Sequence, residues 1–280
     1  MSDSIPRSSV LAPCPIRFTR AICGDVTQAE RREWWIANGL GGYASGTIAG
    51  TLTRRYHGLL IAPVASPLGR RLILAKADAT LIEGSRSWPL FTNRWKSGDI
   101  APAGHVRIGS FHLDYSVPVW TYEVGDRHIE ARIWMEPGAH TTYAAWLLRP
   151  RADPLDDKLS LRIILLANDR DHHGTTSVGG FEPEIRANGE TLTVTDSRFF
   201  SLTIRTTGED IVAKRDWYRS FDLPVEAERG LDSMDNHLCV GEATIPLIPG
   251  QWCGMVASLD TEPSVHLMAA LRRGIGHDHA

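Results

Sequence analysis

The chain has 280 residues, of which 42% are hydrophobic and 22% are charged, and its formal net charge is −3. This composition is typical of a globular protein with one sizeable core, and without a basic surplus we expect neither nucleic acid nor a membrane as a partner. No segment resembles a secretory leader or reaches the roughly 18 apolar residues of a membrane span. The four cysteines form no C-x-x-C pair, which argues against a zinc site or a disulfide scaffold and indicates a cytoplasmic protein.

The first 20 residues carry Ser, Pro and Arg without periodicity, and we expect a flexible N-terminal arm there. From residue 21 to residue 262, short apolar or alternating runs are separated by turn residues, which predicts strands. The run EWWIA ends at Asn38-Gly39, a dipeptide that favours a two-residue type I′ hairpin turn. Residues 43–53 then alternate, which predicts a strand with one nearly side-chain-free face.

The stretch NGLGGYASG, residues 38–46, also contains the G-x-G-x-x-A pattern of a dinucleotide-binding turn. That turn requires a following helix and an acidic residue about 20 positions later. Here glycines and β-branched residues follow, and no Asp or Glu occurs between Glu33 and Asp78. The sequence therefore predicts no nucleotide cofactor, and it indicates no other cofactor, no metal site and no catalytic residue in this chain.

Further strands are predicted at YHGLLIAP, RRLILAKADATLIEG, TTYAAWLLRP and LSLRIILLAN, with hairpin signals at Gly125-Asp126 and Asn188-Gly189. Helices are predicted only around residues 210–222 and in SVHLMAALRR near the C-terminus. Many short strands with almost no long amphipathic helix are typical of two antiparallel sheets packed face to face. The predicted fold class is therefore all-β, a large two-sheet antiparallel β-sandwich with a few short helices.

Three stretches concentrate side chains suited to a neutral polyhydroxylated ligand, and the first runs from residue 38 to residue 57. Its aromatic rings offer faces for a sugar, and its polar side chains offer directional hydrogen bonds. If residues 54–57 are extended, alternate side chains share a face, so only two of the four would meet the ligand. The candidate binding residues of this stretch are Asn38, Tyr43, Arg54, Arg55, Tyr56 and His57.

The second stretch, NDRDHHG, contributes Arg170, Asp171 and His173 as candidate binding residues, with Arg170 and Asp171 as a candidate ion pair. Asp169, Asp171, His172 and His173 have the chemistry of metal ligands. Adjacent histidines on an extended chain point to opposite sides, however. The pattern is therefore interpreted as a hydrogen-bonded polar loop.

The third stretch, residues 216–232, contributes Trp217, Glu226 and Arg229 as candidate binding residues. Cleavage of a glycosidic bond needs two carboxyl groups at a defined separation, and a sequence gives no distance. Glu226 and Arg229 are therefore interpreted as a structural ion pair rather than as part of an acid catalyst.

These same three stretches resemble a known family. EWWIANGLGGYASGTIAGTLTRRYHGLLIA (residues 33–62), followed by LGRRLILAKADATL, is similar to the N-terminal domain of the bacterial and archaeal type of glycogen debranching enzyme. LLANDRDHHG and WYRSFDLPVEAERGLDSMDNHL resemble later motifs of that domain in the same order. The resemblance covers roughly residues 25–260.

The resemblance implies a sandwich of the galactose-mutarotase-like, supersandwich kind, which precedes an (α/α)6 barrel in several α-glucan hydrolases. In the family the whole enzyme, an amylo-α-1,6-glucosidase, removes α-1,6-linked glucose from glycogen with carboxylates of the barrel, and the N-terminal domain helps to bind and orient the glucan. The implied partners are an α-glucan or maltooligosaccharide and the barrel, in cis or in trans. Two features depart from the family: residues 263–280 would only begin the linker to the barrel, and SMDNHL replaces a consecutive acidic run.

Two other functions stay open at this level. A free-standing β-sandwich could bind glycans and regulate a glycogen enzyme in trans. A mutarotase-like sandwich could act on sugars itself, with His57, His173 and Glu226 as the groups to suspect, although a fold does not determine the reaction that it hosts.

Overall fold

The computed structural model describes residues 16–65, 69–150, 158–196, 198–208 and 210–278, which form two large antiparallel sheets. Residues 1–15 of the predicted N-terminal arm lie outside the described residues. Within the rest of that predicted arm, Arg17–Thr19 form a strand rather than a flexible segment. The helices are α1 (Arg20–Cys23), α2 (Val26–Glu30), α3 (Pro224–Glu228) and α4 (Leu267–Asp278), with one 3-10 turn at Gly104–Arg107. The strands are β1 (Arg17–Thr19), β2 (Glu33–Ala37), β3 (Tyr43–Thr47), β4 (Gly58–Ala65), β5 (Gly69–Glu83), β6 (Arg86–Pro89), β7 (Thr92–Arg94), β8 (Ile100–Ala103), β9 (Ile108–Asp114), β10 (Val117–Val124), β11 (Arg127–Met135), β12 (Thr141–Leu148), β13 (Leu159–Asp171), β14 (Glu184–Asn188), β15 (Thr191–Asp196), β16 (Phe200–Thr206), β17 (Ile211–Asp222), β18 (Met234–Pro246) and β19 (Trp252–Ser258).

The two sheets have long-range strand orders that bring distant segments together. The nine-stranded sheet has the order β1-β9-β10-β11-β12-β19-β16-β15-β14, and the eight-stranded sheet has the order β17-β18-β13-β5-β4-β3-β2, with β6 paired to β5. A small third sheet joins β7 and β8. The predicted all-β sandwich is thus confirmed. Among the described residues, no helix is long and apolar enough to cross a membrane.

The core lies between the two large sheets. Trp34, Ile73 and Leu81 of the eight-stranded sheet pack in one cluster with Phe111 and Trp120 of the nine-stranded sheet. The indole rings of Trp34 and Trp120 meet edge to face with centroids 5.8 Å apart. Burying an aliphatic or aromatic side chain of this size contributes about 1.5–3 kcal/mol, so this cluster is the main source of the sandwich's stability.

Two hairpins agree with their sequence signals. Gly125 and Asp126 connect β10 to β11, with Val124 opposite Arg127 and a positive φ of 61° at Gly125. The second hairpin pairs Asn188 with Thr191. Its two turn residues are therefore Gly189 and Glu190, one position later than the Asn-Gly signal, and Gly189 takes the positive φ of 56°.

The predicted two-residue turn at Asn38-Gly39 is wrong, because five residues separate β2 from β3. The Asn38 carboxamide oxygen accepts hydrogen bonds from the backbone N–H groups of Leu40 and Gly42 at 2.9 and 3.0 Å, which stabilises a wider loop. Gly39 and Gly41 provide positive φ angles of 80° and 81°. Residues 38–42 thus join two antiparallel strands, and a strand follows them, in agreement with the glycines and β-branched residues after Ala44.

Two other elements differ from their predictions. The predicted strand over residues 43–53 ends at Thr47, where the side-chain hydroxyl donates to the backbone oxygen of Thr51 at 2.8 Å and the chain turns. The predicted helix over residues 210–222 is the edge strand β17, paired with β18. Its polar sequence has no clear alternation, and pairing with a buried strand overrides the weak local preference.

The outer face of each large sheet is covered differently. On the nine-stranded sheet, Val119 and Trp134 pack against Leu267 and Leu271 of α4, so residues expected to begin a linker include a helix docked on the sandwich. On the eight-stranded sheet, a separate apolar cluster that includes Tyr43 lies beneath loops and short elements. A cleft opens beside this cluster.

Candidate functional site

The cleft lies at one corner of the eight-stranded sheet and has a volume of about 500 Å³. This is within the range of small-molecule sites. Antiparallel pairing places the end of β2, the starts of β3 and β5 and the end of β13 at the same edge of the sheet. Most of the polar and aromatic side chains that line the cleft come from three strands and two turns. They are Glu33 and Trp35 of β2, Tyr43 of β3, Arg54, Tyr56 and His57 of the turn before β4, Arg70 of β5 and His172, which follows β13.

An aromatic platform forms one wall of the cleft. The rings of Trp35 and Tyr43 are stacked with centroids 3.9 Å apart and an interplanar angle of 19°. Because β2 alternates, Trp34 points into the core and Trp35 points out, with 56% of its surface exposed. Tyr43 is only 4% exposed. The buried tyrosine thus supports the indole, whose free face is open to a ligand.

Two tyrosine–histidine pairs lie next to the platform, and of their four residues Tyr43, Tyr56 and His172 line the cleft. The Tyr43 hydroxyl lies 3.1 Å from His172 Nδ1, and the Tyr56 hydroxyl lies 2.9 Å from His173 Nδ1. The two imidazole centroids are 4.1 Å apart. The predicted opposite orientation of these histidines is wrong, because β13 ends at Asp171 and a turn follows, in which Gly174 N–H donates to the Asp171 carbonyl.

Glu33 anchors the polar edge of the cleft. Its Oε1 accepts from Arg54 Nε at 2.6 Å and lies 3.3 Å from His57 Nε2. Since His57 Nδ1 accepts from the Thr53 backbone N–H at 3.1 Å, the proton of a neutral His57 must lie on Nε2 and point to Glu33. Burial raises the pKa of the Glu33 carboxyl, but the hydrogen bonds from His57 and Arg54 and the positive charge of Arg54 outweigh it and lower the pKa to about 2.

Two buried charged side chains hold the backbone of the turn at residues 54–57 through hydrogen bonds. Glu226 Oε1 accepts from the Arg55 backbone N–H at 3.1 Å, and Arg170 Nη2 donates to the Arg55 carbonyl at 2.7 Å. Arg170 Nε in turn donates to Asp235 Oδ2 at 2.8 Å. The candidate pairing of Arg170 with Asp171 is therefore wrong: Asp235 is its ionic partner, whereas Asp171 contributes only its carbonyl.

Because residues 54–57 form a turn, the strand-like alternation considered for them is wrong. His57 N–H donates to the Arg54 carbonyl at 3.2 Å, and Arg54, Tyr56 and His57 all line the cleft. Arg55 points away, with its guanidinium donating to the carbonyls of His173 and Asp232.

The remaining predicted residues lie in four different environments. Asn38 is 2% exposed and holds the β2–β3 loop. The predicted ion pair of Glu226 with Arg229 is confirmed at 3.2 Å. Trp217 packs against the main core from β17. Asp171 Oδ1 accepts from the His173 backbone N–H at 2.8 Å.

Trp35, Arg70 and Glu33 were not identified from the sequence, and His172 was considered only as a metal ligand. The alternation of EWWIA already separates Trp34 from Trp35, which was the available signal for the platform. No local pattern identifies Arg70, which reaches the cleft only through the pairing of β5 with β4. Glu226, suspected in a mutarotase-like reaction, is 1% exposed and does not line the cleft.

A metal ion could find three ligands at the cleft wall, since one donor atom each of Asp171, His172 and His173 lies within 4.8 Å of the others. However, both imidazole Nδ1 atoms already face tyrosine hydroxyls. Burial and the positive charge of His173 lower the pKa of His172 to about 4; the Asp171 carboxylate opposes this shift, and Arg70 and Arg170 add to it. The same positive charges repel a cation, so the electrostatics do not favour a metal here.

Residues 32–253 match the family model described as "Glycogen debranching enzyme N terminal". The chain belongs to this family. No curated protein matches it. A bacterial glucoamylase complexed with acarbose matches in structure at a TM-score of 0.38 and 10% identity over 89% of this chain and 35% of that chain. A protein assigned as a kojibiose phosphorylase from the human microbiome matches at 0.40 and 9% identity over 88% and 32%. The chain thus spans about a third of these two proteins.

The cleft of this glycogen debranching enzyme N-terminal domain has the chemistry of a binding site. It offers one exposed ring face, together with guanidinium, imidazole and hydroxyl groups. Among its lining residues in the described part of the chain, Glu33 is the one carboxylate, and its neighbours keep it ionised. Glycoside hydrolysis by the common mechanisms uses two carboxyl groups, and these lining residues do not form such a pair.

Proposed function

We propose that this domain binds α-glucan in the cleft and orients it for the catalytic domain of a glycogen debranching enzyme, which would hydrolyse α-1,6-glucosidic linkages. The observation that carries the proposal is the exposed indole face of Trp35, backed by Tyr43 and bordered by hydrogen-bonding groups. Flat apolar faces of pyranose rings stack on such surfaces, and neighbouring donors and acceptors form hydrogen bonds with the sugar hydroxyl groups. Family membership supports the glucan as the ligand class.

The separation of binding from catalysis is the second part of the proposal. The catalytic domain, in cis or in trans, would supply the carboxylates, and this domain would supply one wall of a shared cleft. The chain alone is then expected to release no glucose from a glycogen limit dextrin. Sustained glucose release by the purified 280-residue chain would contradict this division of roles.

The test of glucan binding is calorimetric titration with maltohexaose. We expect saturable binding by the wild type and an approximately tenfold higher Kd for Trp35→Ala, which corresponds to about 1.4 kcal/mol. Trp88→Ala is the matched control, because Trp88 is a half-buried tryptophan paired with Leu81 at the far end of β5. A strand rises about 3.3 Å per residue, so this control lies roughly 30 Å from the cleft.

Two results would overturn the proposal. One is an unchanged Kd for Trp35→Ala, which would exclude the platform as the sugar-binding surface. The other is no detectable binding by the wild type up to about 10 mM, where even a binding free energy near −3 kcal/mol should register.

A further inference from the structure

The charged groups of the cleft do not balance. Glu33 is matched by Arg54 through the bond at 2.6 Å. Among the described residues, Arg70 has no carboxylate within ion-pair distance, and its side-chain Nε donates a hydrogen bond to the Gly41 carbonyl at 2.6 Å. The lining side chains with permanent charge therefore leave one unmatched positive charge, on Arg70.

The structure also holds Arg70 in place. The bond to Gly41 fixes the guanidinium against the β2–β3 loop, and the side chain is half-buried. A Cβ atom at Gly41 would lie only 3.6 Å from Arg70 Nη2, so the loop and the guanidinium are in close contact. Its two terminal nitrogens remain as paired donors in a planar group that suits the two oxygens of a phosphate or carboxylate.

The positive charge of Arg70 acts on two other groups of the cleft. The charge of Arg70 contributes to the lowered pKa of His172, after burial and the charge of His173. The charge of Arg70 also acts on Tyr43: burial raises the pKa of the Tyr43 hydroxyl, and the positive charges of Arg170 and Arg70 partly offset that rise. An unmatched charge in a concave site attracts ligands of the opposite sign.

We propose that the cleft takes a hexose that carries an anionic group, a phosphate ester or a carboxylate, with its ring on Trp35 and its anion on Arg70. The inference rests on the proposed sugar-binding function of the cleft and narrows its ligand. A neutral glucan would use the platform and leave Arg70 without a partner. A glucosyl unit with an anionic substituent uses both.

The experiment is a calorimetric comparison of glucose, glucose 6-phosphate, glucuronate, maltohexaose and inorganic phosphate at low ionic strength, where charge pairs are least screened. We expect glucose 6-phosphate or glucuronate to bind at least about tenfold more tightly than glucose. Whichever of these two hexoses binds more tightly shows whether the site prefers a phosphate or a carboxylate. Arg70→Gln should remove the preference over glucose, and Arg70→Lys, which keeps the charge, should retain part of it. Arg186→Gln is the control, because Arg186 pairs with Glu184 on β14 of the other sheet and is exposed.

The outcomes separate this inference from the proposed function. Equal affinity for glucose and both anionic hexoses, together with maltohexaose binding, overturns the anion site and leaves the glucan proposal standing. A preference that persists in a folded Arg70→Gln variant, checked by circular dichroism, overturns the assignment to Arg70. Inorganic phosphate that binds as tightly as the ester overturns the sugar part of the site. Absence of binding by maltohexaose and by every hexose overturns both proposals.

Discussion

The outer faces of the two sheets are completed in different ways. On the nine-stranded sheet, α4 covers an apolar cluster with Leu267, Ala270 and Leu271, each less than 5% exposed. On the eight-stranded sheet, loops and short elements cover an apolar cluster of similar size. A helix satisfies its own backbone hydrogen bonds, whereas a loop needs polar side chains to satisfy its backbone. The loop-covered face is therefore where polar groups gather and where the cleft forms.

Those polar groups divide into a supporting layer and a ligand-facing layer. In the supporting layer, Asp235 is fully buried and accepts from Arg170, from the Thr176 backbone N–H at 2.7 Å and from the Asn236 backbone N–H at 3.0 Å. In the ligand-facing layer, Trp35 is exposed and Arg70 keeps its terminal nitrogens available. We therefore expect substitutions in the first layer to change stability and substitutions in the second layer to change the proposed binding.

The largest effect is expected at the buried ion pair. Asp235→Ala leaves the Arg170 guanidinium buried without its partner, and breaking such a pair costs about 3–5 kcal/mol. We expect this loss in the free energy of unfolding measured with urea. Asp216→Ala is the control, since Asp216 is an exposed residue of the neighbouring strand β17. A loss below about 1 kcal/mol would mean that the supporting layer does not stabilise the fold.

The next effect concerns pH and the buried His237. Burial lowers the pKa of His237 to about 4, although Asp235 opposes the shift and Arg170 and Lys76 add to it. His237 Nδ1 accepts from Asn168 Nδ2 at 2.9 Å, and protonation would replace this acceptor with a donor. The unfolded chain binds the proton more readily, so stability is fully present above pH 6.5 and is lost as the pH falls toward about 4.

The measurement is urea unfolding at a series of pH values between 7 and 4. A shift of this size corresponds to at most about 3 kcal/mol across that window. His237→Asn should be less stable than the wild type at pH 7, and its stability should fall less steeply with acidification. A parallel fall in both proteins would show that another group titrates in this window.

The third effect is expected on the helix-covered face. Leu271→Ala removes a side chain that is 3% exposed between α4 and the nine-stranded sheet, and such truncations cost about 2–5 kcal/mol. We expect the lower part of that range, because α4 covers the sheet from one side only. Arg272→Ala on the exposed side of the same helix is the control.

The affinity of Leu271→Ala for maltohexaose tests whether the two outer faces are independent. If the two faces are independent, Leu271→Ala should lower the unfolding free energy and leave the Kd unchanged within about twofold. A Kd that rises in proportion to the lost stability would contradict the separation of the two faces.

The sequence alone determined the fold class and part of the site. Alternation, turn dipeptides and apolar runs predicted the sandwich and the hairpin at Gly125-Asp126, because these signals act between residues close in the chain. The stretch around residues 43–57 supplied Tyr43, Arg54, Tyr56 and His57, all of which line the cleft. Gly39 and Gly41 of NGLGGYASG have the positive φ angles that their attribution to backbone geometry predicts, whereas Gly42 and Gly46 leave room for Asn38 and Trp34.

The tertiary structure alone decided how the site is assembled. Arg70 and His172 reach Tyr43 because β3, β4, β5 and β13 are neighbours in one sheet, and strand pairing joins segments that no local pattern relates. The turn at residues 54–57 depends on Glu226 and Arg170, which are more than a hundred positions away. The edge strand β17 likewise forms through β18, since pairing with a buried partner outweighs the weak preference of its own residues.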